Sequence, residues 1–204
     1  MPKHILIIDN GSMYLRKLQH ICGDALAATI KPGAIDLERA DKHDLIILSG
    51  GFQHEVMGSE QFYAKELQLI RQAIVPIVGV CLGFQLVAHA FNIPIHEMEQ
   101  NEFGIHDITM TKLGAKLLGE GPYKVFEDHT WVVEKTPDNF HELALSHCGL
   151  EAIMHDALPV AGFQFHPEKF VTKSDGIELF ARIISIFETR QALIDHNDYL
   201  DTAI

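Results

Sequence analysis

Basic residues are scarce in this chain of 204 residues: 16 Lys and Arg stand against 28 Asp and Glu, a formal charge of −12. Phosphate binding needs clustered Lys and Arg, and no such run occurs, so a nucleic-acid partner is disfavoured. Cysteine is equally sparse. Cys22, Cys81 and Cys148 cannot all pair, and no C-x-x-C unit is present, so neither a disulfide framework nor a zinc ribbon is indicated and reduced thiols are expected. No apolar stretch approaches the roughly 18 to 20 residues that span a bilayer, and no charged segment with a signal-peptide core opens the chain. A cytoplasmic location with no membrane partner is the expectation. The 13 histidines show no H-E-x-x-H or comparable spacing, so neither a metal site nor a cofactor is expected.

What is present suits a globular domain: 47% of residues are hydrophobic and 22% charged. The length fits one domain, assigned to residues 1–190, with a polar tail over 191–204 and no room for a second catalytic domain. His4-Ile-Leu-Ile-Ile-Asp9 is a short continuous apolar run, as in a strand buried on both faces. After Asn10-Gly11-Ser12, the spacing of Tyr14, Leu18, Ile21, Cys22 and Ala25 predicts a helix face. Leu45–Leu48 repeats the strand signal, and Phe62, Tyr63, Leu67, Ile70 and Ile74 predict a second helix. Pro76–Val80 is a third strand, and residues 83–91 read as a helix stopped by Asn92 and Pro94.

Three βα units predict an α/β fold, a doubly wound and mostly parallel sheet flanked by helices. From about Ile95 to Phe165 shorter strands with polar interruptions predict an antiparallel hairpin region. Within it, Ala152–Met154 and Val160–Phe165 read as the arms of one hairpin. A last helix carries Ile177, Phe180, Ile184 and Phe187 on one face, with Asp175 available as its cap. The tail after Arg190 carries no clear signal.

The strongest local pattern is Val78-Gly-Val-Cys81-Leu-Gly-Phe-Gln85, a strand turning sharply into a helix with a nucleophile at the turn and glycines two residues to either side. Small neighbours let the backbone turn tightly, and a helix starting after Cys81 points free N–H groups and partial positive charge at the sulfur. The plainer reading of Cys81 is a buried core thiol. A base is needed, and one histidine ends an apolar strand in Phe165-His166-Pro167-Glu168. In extended chain i and i+2 share a side, so Glu168 can orient the imidazole and stabilise its protonated form. On composition alone, H-P-E is an ordinary exposed turn.

An elbow cysteine followed late in the chain by a strand-terminal His-x-Glu resembles the class I, triad-type glutamine amidotransferases, whose motifs are G-x-C-x-G-x-Q and H-P-E. The resemblance covers His4 to about Glu188 and implies a flavodoxin-like fold and a catalytic set of Cys81, His166 and Glu168. It also implies an oxyanion hole from the backbone N–H groups of Gly51, in Leu48-Ser-Gly-Gly51, and Leu82. Gln85 matches the family's substrate-contacting glutamine, and Asp128-His129-Thr130-Trp131 looks like the loop whose backbone holds the amino-acid end of glutamine. For His129 and Trp131 the alternative is a half-buried strand pair. The chain departs from many members at Phe52, where Pro is common, and at Phe84, where His or Met is frequent.

The activity so implied is hydrolysis of the glutamine side-chain amide through a γ-glutamyl thioester on Cys81. The chain has no P-loop, so the ammonia would pass to a separate ATP-dependent synthetase. The opening Ile-Asp-Asn-Gly-Ser-Met-Tyr and the run ending Gly-Phe-Gln-Phe-His-Pro-Glu are most similar to the glutaminase part of GMP synthetases, with anthranilate and aminodeoxychorismate synthase subunits as close competitors. Two other readings stay open: a stand-alone hydrolase of other γ-glutamyl compounds, and a non-enzymatic binding protein that retains the shell and its cysteine.

Overall fold

The computed structural model describes residues 2–24, 26–136, 138–169 and 173–202, with side chains as far as residue 190. In chain order it runs β1 (Ile5–Ile8), α1 (Leu15–Ile21), β2 (Ala27–Ile30), β3 (Leu45–Leu48), α2 (Ala64–Gln72), β4 (Ile77–Val80) and α3 (Leu82–Ala90). There follow β5 (Ile95–Met110), α4 (Lys112–Leu118), β6 (Tyr123–Val133), β7 (Phe140–Leu145), β8 (Leu150–His155), β9 (Val160–Phe163) and α5 (Gly176–Thr202). Among the described residues the strands form one sheet in the order β2-β1-β3-β4-β9-β8-β7-β5-β6. The pairs from β2 through β9 are parallel, and those from β9 outward to β6 are antiparallel.

Strands β1, β3 and β4 are buried along their whole length because helices cover both faces. The two-residue period sorts their side chains. Leu6, Ile8, Ile46 and Leu48 pack with Leu67 and Ile70 of α2 and Leu86 of α3, whereas Ile5, Ile7, Leu45 and Ile47 pack with Leu18 of α1 and Leu179 and Phe180 of α5. This is the doubly wound α/β architecture predicted, and its Cys81 elbow and the segment beyond β9 leave the same end of adjacent parallel strands.

Several expectations are refined. The helix predicted from Tyr14 starts only at Leu15 and ends at Ile21, with Tyr14 before it; Ala25 lies outside the described residues. The edge strand β2 is only half-buried, so its sequence carries no continuous apolar run. The short strands expected around residues 105–110 and 125–133 are parts of two long ones. These pair from Ile95↔Val133 to Ile108↔Tyr123 around an irregularity between Glu97 and Glu102. The predicted hairpin is β8–β9. Asp175 turns its carboxylate to the Lys124 amide, 2.7 Å away, and so ties the start of α5 to β6. Helix α5 continues through residue 190 to Thr202, where the sequence carries no clear signal; after Gly176 neither Gly nor Pro interrupts that stretch. Among the described residues no helix is long and apolar enough to cross a membrane.

Candidate active site

Cys81 is the residue between β4 and α3, and it holds φ +51° and ψ −107°, a backbone state costly for a side chain other than glycine. The surroundings enforce it. A Cβ on Gly79 would meet the Gly83 carbonyl at 2.4 Å, and one on Gly83 would meet the Leu48 carbonyl at 2.2 Å, so both flanking glycines are required for helix and strands to approach. The Cys81 N–H donates to the Phe163 carbonyl at 2.8 Å, clamping the elbow to the strand that leads into His166.

His166 is fixed by its own N–H, which donates to the Phe126 carbonyl at 2.9 Å, and by Nδ1, 2.9 Å from Glu168 Oε1. That leaves Nε2 for the sulfur of Cys81, which lies near enough to raise the pKa of the ring. Cys81, His166 and Glu168 are 5%, 4% and 0% exposed. Burial pulls the His166 pKa down, but the facing sulfur and the Glu168 carboxylate outweigh it, and the imidazole ends well above its ordinary value. Gly50 makes the meeting possible: a Cβ there would sit 3.0 Å from His166 Cε1 and 3.5 Å from Cys81 Cβ.

A cavity of about 230 Å³ opens over Cys81, bordered by Gly51, Leu82, Gln85, His129, Thr130 and Trp131 among others. Its size suits a small metabolite rather than a polymer. Gly51 is locked beside Asn10, whose carbonyl would lie 2.3 Å from any Cβ at residue 51. Leu82 is the first residue of α3, where a backbone N–H has no partner within the helix. Both positions predicted to supply oxyanion donors thus border the cavity beside the sulfur. Gln85 Nε2 donates to the Trp131 carbonyl at 3.1 Å, tying the elbow helix to β6. Thr130 donates its hydroxyl to the Asn101 side chain at 3.2 Å.

His129 differs from its neighbours. Its ring is 1% exposed and turned inward, with Nδ1 donating to the same Trp131 carbonyl at 3.1 Å. Any contact of this residue with a molecule in the cavity falls to its backbone, because the ring itself is buried.

Sequence reasoning misses a second approach to Cys81. A smaller cavity of about 70 Å³ is bordered by Ser12, Met13, Tyr14, Asp128 and His166. Tyr14, expected on a helix face, sets its ring edge-on to His166 with centroids 5.1 Å apart, and its hydroxyl donates to Asp128 at 2.9 Å. Burial, then the Asp128 carboxylate, push its pKa up to about 12. Lys169 Nζ donates to the same hydroxyl at 3.0 Å. The Asp128 carbonyl in turn accepts from the Cys81 thiol at 3.8 Å. The one signal that could have found this approach is Lys169, a cation directly after His-Pro-Glu.

The model of the family described as "Glutamine amidotransferase class-I" matches residues 6–186. The chain is similar to the glutamine-hydrolysing subunit of GMP synthase from Pyrococcus furiosus, 34% identical over 88% of this chain and 97% of the relative. The subunit of the same name from Methanosarcina mazei is 30% identical over 89% and 95%. Among solved structures, one from Thermoplasma acidophilum superposes with a TM-score of 0.81 at 22% identity, covering 96% of this chain and 98% of the other. That last likeness bears on the fold alone.

Proposed function

Because this chain belongs to the class-I glutamine amidotransferase family, we propose that Cys81, His166 and Glu168 hydrolyse the side-chain amide of glutamine through a γ-glutamyl thioester. The Cys81 sulfur attacks the amide carbon, and His166 delivers its proton to the departing nitrogen, which leaves as ammonia. His166 then takes a proton from water as the water attacks the thioester; glutamate departs and the thiol is restored. The tetrahedral oxyanion in both halves is held by the N–H groups of Gly51 and Leu82. Glu168 keeps the imidazole in one tautomer and stabilises its charged form. Gln85, Thr130 and Trp131, with the backbone of His129, hold the amino-acid end of the substrate. We assign this chemistry to residues 1–190 and none of it to 191–204.

The observation that carries this reading is the convergence of the sulfur, the imidazole and the carboxylate at the mouth of a metabolite-sized cavity, from segments far apart in sequence. The names of the relatives extend it: the ammonia goes to a separate ATP-dependent synthetase of the GMP synthase type. A reactive thiol that must remain reduced suits action in the cytoplasm.

The test is ammonia release from glutamine by the purified chain, alone and with a GMP synthase-type synthetase. Slow release alone and a rise of tenfold or more with the synthetase is the expected result, abolished in Cys81→Ala. Full turnover alone, extending equally to other γ-glutamyl compounds, would replace this reading with that of a stand-alone hydrolase.

A further inference from the structure

Beside the cavity over Cys81, which His129 also borders, three buried metal-ligating side chains converge. Glu127 and His129 stand at i and i+2 on that strand, and so on one face, and Glu151 arrives from β8. They are 1%, 5% and 1% exposed, and one ligating atom of each lies within 4.8 Å of the others. His129 donates its Nδ1 hydrogen to the Trp131 carbonyl, which leaves Nε2 as a bare lone pair facing inward. That nitrogen is 3.2 Å from Glu127 Oε2 without the alignment of a hydrogen bond. Both Glu127 oxygens, Glu151 Oε2 and His129 Nε2 lack hydrogen-bond partners, as do both side-chain amide atoms of Gln164, whose backbone N–H donates to the Glu151 carbonyl.

Acceptors that face one another in a dry interior are strongly unfavourable unless a shared proton, for which the Glu127 and Glu151 carboxyls are near enough, or a bound cation joins them. A tetrahedral ion with bonds of about 2.0–2.1 Å sets neighbouring donors roughly 3.3 Å apart, close to the observed separation of His129 and Glu127. A ligating histidine characteristically gives its other ring N–H to a carbonyl or carboxylate, as His129 does to Trp131. Nitrogen with two carboxylates is a donor set for zinc or manganese.

We propose that Glu127, His129 and Glu151 bind one divalent transition-metal ion, of the zinc or manganese class, which fastens the substrate-binding strand β6 to β8. The ion is structural: held by residues on either side of Asp128, it acts on the site by fixing that segment, including the Asp128 carbonyl beside Cys81. No spacing in the sequence announces it, because two ligands alternate on one strand while the third comes from another.

The experiment is a metal measurement and needs no glutaminase activity, so its outcome is separate from that of the proposed function. The full chain is stripped with chelator, reloaded with zinc chloride or manganese chloride, dialysed, and assayed for metal content and thermal midpoint. Expected are about one ion per chain and a rise of several degrees in midpoint, the linkage of an ion that binds only the folded form. The Glu127→Gln/Glu151→Gln double variant should fall below a tenth of an ion per chain and lose the rise.

Cys148→Ser is the control, since Glu102, His147 and Cys148 form a more exposed group of ligating side chains nearby. It should bind as the parent does. Cobalt loading of the parent covers the case of a double variant that does not fold: the spectrum should lack a sulfur-to-cobalt charge-transfer band. A parent that takes up neither metal and melts identically with and without them would overturn the proposal in favour of carboxyls that share protons. Loss of binding in Cys148→Ser, or a sulfur band with cobalt, would overturn it in favour of the exposed group.

Discussion

The Tyr14 hydroxyl donates to the Asp128 carboxylate at 2.9 Å, joining the loop after β1 to the strand whose carbonyl receives the Cys81 thiol. The same tyrosine ring stands edge-on to His166, and Lys169 Nζ lies over its face, 4.1 Å from the centroid. These contacts bring the amino-terminal loop, β6 and the segment after His166 together at one point. Tyr14→Phe keeps the ring against His166 and removes only the hydroxyl. A hydrogen bond to a charged group contributes about 1.5–3 kcal/mol at most, and this one is partly solvated, so a loss near the lower end is expected. Glutaminase kcat should fall threefold to tenfold with KM for glutamine nearly unchanged. Equal kcat in Tyr14→Phe and parent would reduce this contact to packing.

The three thiols differ in environment, and labelling should separate them. Burial pushes the Cys22 pKa up to about 12, and burial followed by the Glu102 carboxylate does the same for Cys148. At neutral pH both remain protonated and unreactive. A glutamine-analogue electrophile should therefore modify Cys81 alone, as read by mass spectrometry of peptides. Cys22→Ala and Cys148→Ala should retain ammonia release within about twofold, whereas Cys81→Ala retains none. Stoichiometric modification at Cys148 would contradict this account.

Gly51 tests the oxyanion site. A methyl group there would lie 2.3 Å from the Asn10 carbonyl, a contact neither backbone can absorb without moving. Removing one oxyanion donor lowers rates by about a hundredfold or more in other enzymes, so displacing the residue 51 amide in Gly51→Ala should cost kcat on that scale. Substrate binding to Gln85 and β6 should survive, leaving KM within a few-fold. Full kcat in a folded Gly51→Ala chain would exclude this N–H as a donor.

The sequence is most legible where one constraint acts alone. Ile5–Ile8, Leu45–Leu48 and Ile77–Val80 are buried on both faces, and continuous apolar runs have few other uses. Cys81 is readable because its glycines answer a packing demand, and His166 because a strand end and Glu168 frame it. Periodicity misplaces Tyr14 for a physical reason: an aromatic at a helical interval looks the same whether it packs on a sheet or caps a site. His129 lies in the segment proposed to hold substrate, but its ring is buried against Glu127 and Glu151. Clusters assembled from different strands leave no spacing in the sequence, which is why Glu127 and Glu151 are silent there.

Glu66 gives a pH dependence with a definite sign. It is 0% exposed on α2, where it accepts one hydrogen bond from Asn10 Nδ2 at 3.1 Å while its other oxygen has no partner. Burial, only partly offset by Asn10, raises its pKa from the ordinary 4.5 to about 8. A folded-state pKa above the unfolded one means that the native chain binds the extra proton. Its stabilising contribution is complete below about 4.5 and is lost as pH rises through about 8. In Glu66→Gln the group is neutral at every pH and keeps an acceptor for Asn10. The variant and parent should melt together near pH 4.5, and the variant should become progressively more stable as the pH is raised, by a few kcal/mol once above 8, each pKa unit being worth about 1.4 kcal/mol. Because Asn10 also donates to the Ser49 carbonyl and packs on Gly51, the parent's oxyanion loop should loosen over the same interval. Thermal melts of both chains from pH 4.5 to 9 decide the matter: a stability difference that does not change with pH would mean that Glu66 ionises normally in the fold.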